Sequence, residues 1–297
     1  MKNNLQRFAI WLSLLSETLQ TVLVVALFSV REKFTRKQSE DISETVVVVG
    51  NGPSAGLDIP YLVNMKRDSK FSVCAVNDFA CSDVFVKLRP DIYILADPNY
   101  WLAEASKEVQ KSRERLLSAL NGSVSWKMKL YMPYDARGSS FVRCLHNDLI
   151  VISYYNRIPI RGFDSVCSFF IYRQAGMYPA FNVLIAALHV VIWLSFKRII
   201  IIGADHSWHE EVTVSSSGEA LVEQKHFYKE ETKPATVKRP DGTFNIGELF
   251  VRWGEVFKIY HRIAAYAARN GIKIINSSSK SYIDAFQRAA LRDVILK

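Results

Sequence analysis

The chain has 297 residues, 49% of them hydrophobic, and a formal net charge of +9 at pH 7. This length allows one sizeable core, or one domain with an appendage, and the basic excess favours anionic partners such as nucleotides, phosphosugars, acidic lipid headgroups or nucleic acid. The four cysteines have no CxxC pair and no metal-ligand spacing, which excludes a disulfide framework or a cysteine metal site and indicates a reducing compartment.

An apolar stretch near the N-terminus, residues 8–30, has the length of a bilayer span, which takes about 20 residues. Glu17 and Gln20 near its middle are costly in lipid. The stronger basic cluster follows the stretch, and by the positive-inside rule this places the main domain in the cytoplasm. The cluster consists of Arg31, Lys33, Arg36 and Lys37, whereas Lys2 and Arg7 precede the stretch.

We therefore predict a single N-terminal anchor at the cytoplasmic face of the inner membrane. Residues 1–44 are predicted to form the helix and a basic linker, and residues 45–297 an α/β catalytic domain. Two alternatives stay open for the helix: it lies in the membrane interface, or it docks on the protein's own core.

A run of four valines, Val46–Val49, predicts a strand buried on both faces, typical of a parallel sheet. The strand ends in a turn whose glycines permit positive φ and close backbone approach, and Ser54 can cap a following helix. The turn fits neither the dinucleotide fingerprint nor the P-loop, so it is either a different nucleotide site or an ordinary turn. Its residues are Gly50, Asn51, Gly52, Pro53 and Ser54.

Two further strands are predicted at 71–77 and 90–98, and they end at the polar residues Asn77 and Asp97. Polar strand endings that recur at the carboxyl edge of a parallel sheet favour a ligand site there, although Asn and Asp are also common in turns. A surface helix closed by Asn121-Gly122 is predicted for 101–120.

The middle of the chain is predicted to hold a short strand at 129–133, and loops and short elements over 134–171. The apolar segment 180–196 runs directly into an isoleucine strand at 199–203, which favours a crossover helix over a second membrane span. His189 within that helix is interpreted as a packed core residue.

Asp205, His206 and Ser207 follow the isoleucine strand. Asp205 is interpreted as a carboxylate that orients a ligand, because His206 and His209 lack a third metal ligand at a known spacing. A hairpin or lid follows from residue 215. His226, among lysines and aromatic residues on this segment, is a candidate general base or phosphate contact, or else a surface histidine.

A long amphipathic helix is predicted for 245–269, with an aromatic stripe that belongs to the core, followed by a strand at 273–276 and a terminal helix from Tyr282. The whole pattern predicts an α/β fold: a Rossmann-like, mostly parallel sheet with helices on both faces.

Several short motifs resemble the bacterial family-42 sialyltransferases over roughly residues 46–290. They are GNGPS, VNDF around Asn77, ADPN around Asp97, and Arg173 to Gly176 followed by an apolar helix and IIIIGADHSW. The same region resembles the 6-hydroxymethylpterin diphosphokinase-like domain, which has the same glycine turn. The chain resembles in particular a subgroup that is found with surface-polysaccharide genes.

The resemblance implies a GT-A-variant-like fold and a CMP-sugar donor, with no other cofactor and no metal. The turn at 50–54 and Asn77 would hold ribose and phosphate. Asp97 stands where the family has Asn, and Ser207 stands where it has a phosphate-binding Tyr, a role that Tyr228 could take. Arg173 and Asp205 are implied to be catalytic residues, and Gly176 and His206 complete the implied donor site. The catalytic histidine would be His226, or its position would be taken by Glu248.

The predicted function is therefore a membrane-attached glycosyltransferase that uses a CMP-activated sialic or related nonulosonic acid in surface glycan biosynthesis. Its predicted partners are the donor, a glycan or glycolipid acceptor and the membrane, with a homo-oligomer allowed and no nucleic acid. The alternatives are a Mg²⁺-dependent pterin pyrophosphoryl transferase, with carboxylates such as Asp97 and Asp205 on the metal, and a non-catalytic sugar-binding assembly protein.

Overall fold

The computed structural model describes residues 2–30, 43–66, 71–102, 106–228, 232–239 and 242–295. The basic cluster predicted to follow the N-terminal helix lies outside these ranges. The α-helices in the described ranges are α1 (Lys2–Phe28), α2 (Ala55–Lys66), α3 (Phe85–Leu88), α4 (Lys107–Ser123), α5 (Ser140–Cys144), α6 (Asp164–Tyr172), α7 (Val183–Trp193), α8 (Ile246–Arg269) and α9 (Leu291–Val294).

Most strand pairs are parallel, and the two short hairpins β7–β8 and β9–β10 are antiparallel. The predicted α/β fold with a mostly parallel sheet is therefore confirmed. The strands are β1 (Thr45–Val49), β2 (Ser72–Val76), β3 (Ile92–Ile94), β4 (Met128–Pro133), β5 (Ile150–Tyr155), β6 (Arg198–Ile202), β7 (Val212–Val214), β8 (Ala220–Val222), β9 (Lys238–Arg239), β10 (Gly242–Thr243), β11 (Lys273–Asn276) and β12 (Gln287–Arg288).

The chain divides into two compact units, Met1–Ser39 with Ile92–Phe196 and Glu40–Asp91 with Lys197–Lys297. The second unit orders its parallel strands β12-β11-β6-β1-β2. Val46–Val49 and Ile199–Ile202 are fully buried in its two central strands. Branched side chains pack well on both faces of such strands, which is why these two runs form the centre of the sheet.

The first unit holds the parallel strands β3-β4-β5, the apolar helix α7 and α1. Every residue of α7 from Leu184 to Trp193 is buried, so the interpretation of α7 as a core helix is confirmed. His189 accepts a hydrogen bond from the Tyr178 N–H at 3.4 Å and donates one to Ile185 O at 2.8 Å, and burial lowers its pKa to about 4.

Helix α1 is long and apolar enough over Asn4–Phe28 to cross a membrane by length and composition. That criterion is weak evidence for a span, because signal sequences and core helices also meet it. Two statements stay predictions. They are the boundary at residue 44 between the N-terminal segment and the catalytic domain, and the cytoplasmic location of that domain.

Two local predictions were wrong. Helix α4 starts at Lys107, where Ser106 Oγ accepts the Val109 N–H at 3.3 Å, and it continues through Asn121-Gly122 to Ser123. No helix begins at Tyr282, because its N–H donates to Asp205 O at 2.9 Å and the next N–H to Ser281 Oγ at 3.2 Å.

The glycine turn after β1 is shaped by close backbone approach. A Cβ on Gly50 would lie 2.4 Å from Gly203 O, and the Gly50 N–H already donates to Ile202 O at 2.8 Å. Gly50 and Gly52 do not adopt the positive φ that glycine permits, whereas Gly203 does, with φ of +64°. The glycines are needed because two backbone segments touch, and no side chain fits between them.

Replacing Gly50 with Ala is expected to lower the free energy of unfolding by about 1–3 kcal/mol, because the new methyl group overlaps a backbone carbonyl that is fixed in the sheet. The matched control is Gly254→Ala in α8, where nothing lies within 4 Å of the added Cβ. This control should gain up to about 1 kcal/mol from helix propensity. Urea unfolding measures both changes, and equal stabilities for the two variants would contradict the packing argument.

Candidate functional site

Asp205 holds the turn that follows β1. Its carboxylate accepts the Ser54 N–H at 3.1 and 3.3 Å and the Ser54 hydroxyl at 2.8 Å, and the Asp205 side chain is buried. A Cβ on Gly52 would lie 2.1 Å from Asp205 Oδ2. Ser54 therefore does not act as the simple cap that we expected, since its hydroxyl is bonded to Asp205.

These contacts place a carboxylate at the N-terminus of α2, where an anion is stabilised by backbone N–H groups and the helix dipole. Burial raises the pKa of Asp205, and the two bonds from Ser54 and the nearby Lys280 act in the opposite direction. A phosphate bound to the same N–H would have to compete with this internal carboxylate. Asp205 is thus a positioning residue for the turn in this structure.

Asn51 lies in the same turn and has one polar atom without a partner. Its Nδ2 donates to Val76 O at 3.2 Å, whereas its buried Oδ1 meets no donor among the described residues. Ser277 Oγ, at the carboxyl end of β11, is likewise buried without a partner in the described part of the chain. A buried polar atom without a partner is costly, so such atoms commonly mark ligand contacts. Asn77 directly follows β2, with φ of +49°.

His206 follows Asp205 with φ of +52° and packs its ring among aromatic side chains. Its Nε2 lies 2.7 Å from the Tyr260 hydroxyl, and its ring centroid is 4.4 Å from that of Trp208. Burial lowers the pKa of His206 to about 3, so the imidazole is neutral at pH 7 and suits a packing role.

A cleft of about 80 Å³ opens beside this turn in the second unit. Lys225 on its wall lies 2.7 Å from Glu211 and 3.5 Å from Glu223. The lysine charge is therefore balanced by carboxylates. The lining residues are Gly52, Pro53, Asp205, His206, Ser207, Trp208, Glu211, Glu223, Gln224, Lys225 and His226.

The segment that carries His226 rests on the glycine turn. The Phe227 N–H donates to Asn51 O at 3.2 Å, and the Phe227 ring packs on Phe79 with centroids 5.6 Å apart. His226 stacks on Tyr228 with centroids 5.4 Å apart and an angle of 6° between the rings. The fold thus brings His226 to the predicted turn, on the wall of the cleft.

Glu248 stabilises the N-terminus of α8. It accepts the Asn245 N–H at 3.0 Å in a capping box and pairs with Arg239 at 2.6 Å. These two contacts hold the pKa of Glu248 below its usual range. A carboxylate committed in this way is a poor general base, which favours His226 of the two candidates.

Three predicted site residues belong to the first unit. Asp97 Oδ1 accepts the Asn99 N–H at 2.9 Å and so caps a turn. Arg173 is exposed at the C-terminal end of α6. Gly176 is buried, and a Cβ there would lie 2.9 Å from Ile158 O, which explains the glycine by packing. Their roles in binding or catalysis stay predictions.

Sequence reasoning missed the polar pairs between the C-terminal turn and the rest of the second unit. Ser279 donates to Asp58 from its hydroxyl at 2.6 Å and from its N–H at 3.2 Å, and Lys280 pairs with Glu210 at 2.5 Å. The run of hydroxyl residues at 277–281 was the available signal. Its partners are far away in sequence, so no spacing rule could have identified them.

The described residues contain no group of three or more His, Cys, Asp or Glu side chains that could hold a metal ion. His209 and Glu210 illustrate why. The His209 ring packs edge-on against Tyr282, with centroids 4.4 Å apart, and Glu210 is bonded to Lys280 and Tyr282.

Comparison with known proteins gives a family and a fold. The family model for 6-hydroxymethylpterin diphosphokinase MptE-like proteins matches residues 17–211. The solved structure of the MAf glycosyltransferase from Magnetospirillum magneticum AMB-1 is similar, with a TM-score of 0.51 and 13% sequence identity. The similarity covers 95% of this chain and 39% of the solved chain, and at this identity it shows the fold alone. Curated proteins gave no significant match.

Replacing Asp205 with Ala is expected to lower the free energy of unfolding by about 1–3 kcal/mol, because Ser54 loses the acceptor for two donors. Asp205→Asn keeps an acceptor for the Ser54 N–H and should lose less stability.

Since burial raises the pKa of Asp205, the folded state takes up a proton more readily than the unfolded chain. The stability of the wild type relative to Asp205→Asn should therefore rise as the pH falls.

Urea unfolding at pH 7 and at about pH 5 tests this sign. The surface substitution Asp148→Asn is the control, because Asp148 is exposed. A wild type that loses stability relative to Asp205→Asn on acidification would show that the hydrogen bonds from Ser54 outweigh burial, and it would contradict the raised pKa of Asp205.

Proposed function

The chain belongs to the 6-hydroxymethylpterin diphosphokinase MptE-like family, and on that premise we propose that it is a membrane-attached glycosyltransferase. The proposed donor is a CMP-activated sugar of the sialic or nonulosonic acid type, and the acceptor is a surface glycan or its lipid-linked precursor. The fold shared with a solved glycosyltransferase supports transfer of a sugar, and the motifs around the glycine turn support the nucleotide.

The observation that carries the proposal is the buried Asn51 Oδ1, which has no donor among the described residues. An amide oxygen accepts hydrogen bonds, so it suits a ribose hydroxyl or a base amino group and not a phosphate oxygen. Ser277 Oγ is a second such atom at the end of a strand in the same unit. A nucleoside that meets these atoms removes the cost of leaving them unpaired.

His226 is the proposed general base. It would take the proton from the acceptor hydroxyl as that oxygen bonds to the anomeric carbon and the bond from this carbon to the CMP phosphate breaks. Histidine is the side chain that most often acts as a general base near pH 7. Its position on the cleft wall beside Gly52 and Pro53 supports this role.

The family description favours a second candidate, a pyrophosphoryl transferase that acts on a pterin. This reaction would need Mg²⁺ held by carboxylates. Asp205 is a weak ligand candidate, because its oxygens already accept three hydrogen bonds from Ser54. A nucleotide screen with and without Mg²⁺ separates the two candidates.

CMP is expected to raise the melting temperature of the full chain equally in EDTA and in Mg²⁺, because the proposed contacts need no metal. Asn51→Ala should lose most of this stabilisation. Asn121→Ala should keep it, because that amide bonds Cys144 O and the His146 N–H in the other unit. Stabilisation by ATP that requires Mg²⁺ would favour the pterin reaction, and no response to any nucleotide would favour a non-catalytic assembly protein.

His226→Ala is expected to lower kcat for CMP release from a CMP-sugar by about 10²-fold or more, since a general base contributes on this scale. Glu248→Ala should leave kcat near the wild-type value. It should instead cost about 1 kcal/mol of stability through the lost capping box at Asn245. Initial rates with circular dichroism melting measure both effects, and an unchanged kcat in His226→Ala would remove this residue as the base.

A further inference from the structure

One face of α1 is bound to the first unit through its middle. Thr18 Oγ1 accepts the Phe163 N–H at 2.9 Å. Thr21 Oγ1 accepts the Arg161 N–H at 2.8 Å and donates to Arg161 O at 3.0 Å. Gly162 touches the helix backbone so closely that a Cβ there would lie 2.6 Å from the Thr18 N. Val25, one turn further, is buried.

The chain just after α1 is attached as well. Asn156 accepts the Val30 N–H at 3.0 Å and donates to Val30 O at 2.8 Å. The helix is therefore held from its middle to its C-terminal end, over about ten residues with a rise of about 1.5 Å each. These bonds keep that half of the helix at the surface of the first unit.

The opposite face of α1 is apolar and exposed along its whole length. Its large side chains recur every three, four or seven residues, which places them on one stripe of the helix. They are 45% to 66% exposed, and they are Leu5, Phe8, Leu12, Leu19, Leu23 and Leu27. Soluble monomers rarely expose an apolar surface of this extent, so it is expected to be covered.

A bilayer span is incompatible with the contacts at Thr18 and Thr21. Only the exposed residues 4–13 precede the hydrogen-bonded half of the helix, and Trp11 among them packs on Phe163. At about 1.5 Å per residue they reach about 15 Å, which is half of the roughly 30 Å hydrocarbon core. A span that included Thr21 would also bring the loop of Arg161, with its polar backbone, to membrane depth.

We propose that α1 is a monotopic helix, which lies along an anionic lipid surface with its leucine stripe in the headgroup and acyl boundary and does not cross the bilayer. The proposal rests on the membrane attachment in the proposed function and is independent of sugar transfer. Such helices bury their apolar face about 5–10 Å deep.

The basic residues near α1 favour an anionic lipid surface as the partner that covers the leucine stripe. Basic residues occur in the first two turns of the helix and in the sequence that follows it, and a basic residue near an anionic membrane contributes about 1 kcal/mol to binding. The apolar stripe alone would suit a second copy of the chain equally well, but two identical basic ends would repel each other. These basic residues are Lys2, Arg7, Arg31, Lys33, Arg36 and Lys37.

The first experiment is flotation of the full chain with vesicles of phosphatidylcholine alone or with one-third phosphatidylglycerol. We expect binding to the anionic vesicles, at least tenfold weaker for the triple variant Leu19→Gln, Leu23→Gln and Leu27→Gln. The matched control, Val86→Gln, Val214→Gln and Val251→Gln, removes exposed apolar residues in the other unit and should bind like the wild type. Equal binding of both variants, or a stripe variant that only turns a dimer into a monomer, would overturn the proposal.

The second experiment separates a helix that lies on the membrane from one that spans it. Asn4→Cys is introduced together with Cys81→Ser and Cys144→Ser, which removes the thiols that are not buried. The protein is expressed in bacteria, and a membrane-impermeant maleimide is applied to sealed inverted vesicles and to intact spheroplasts. The exposed Ser217→Cys marks the side of the main domain.

A monotopic helix places positions 4 and 217 on the same side of the membrane, so both should react in inverted vesicles and neither in spheroplasts. Labelling of position 4 from the spheroplast side alone would establish a span and overturn the proposal. CMP binding by the same variants reports on the proposed nucleotide site separately, so the failure of one proposal does not imply failure of the other.

Discussion

The second unit depends on the contact between the carboxyl ends of β1 and β6. The Gly50 N–H donates to Ile202 O and the Gly52 N–H to Gly203 O, at 2.8 and 2.9 Å. Side chains cannot fit between backbones at this distance, so both strands end in glycine. Asp205 then reaches Ser54 and sets the start of α2. The position of the cleft wall follows from this contact.

This arrangement constrains how a nucleotide could bind. The N-terminus of α2 is satisfied by an internal carboxylate, unlike the phosphate-binding helix ends of P-loop and dinucleotide folds. The buried Asn51 Oδ1 and Ser277 Oγ are neutral polar atoms that can bond a nucleoside. At the N-terminus of α2, by contrast, a phosphate would meet the negative charge of Asp205. The failure of the turn to match either phosphate fingerprint is therefore physically consistent with contacts to a nucleoside. We expect a phosphate to be met by donors other than the Ser54 N–H.

The sequence predicted the parts of the fold that depend on local chemistry. Runs such as Val46–Val49 and Ile199–Ile202 identify central strands because little else accommodates four branched residues together. The same reasoning failed at Tyr282, where a long-range bond to Asp205 O overrides a local helical pattern. It also could not assign the role of Asp205. An acidic residue after a strand has the same sequence pattern whether it binds a ligand or a serine that is close in space and distant in sequence. Long-range contacts decide both cases.

For helix α1, composition alone likewise could not decide what surrounds the helix. Its apolar length fits a span, an interfacial helix and a core helix equally, because all three bury apolar area of similar size. What distinguishes them is which polar groups the helix satisfies. Thr18 and Thr21 use their hydroxyls on the backbone at Arg161 and Phe163, so this face is committed to protein, and the leucine stripe is left for another apolar environment. A helix bound in its middle cannot also place that middle at the centre of a bilayer, and its attachment therefore determines its orientation.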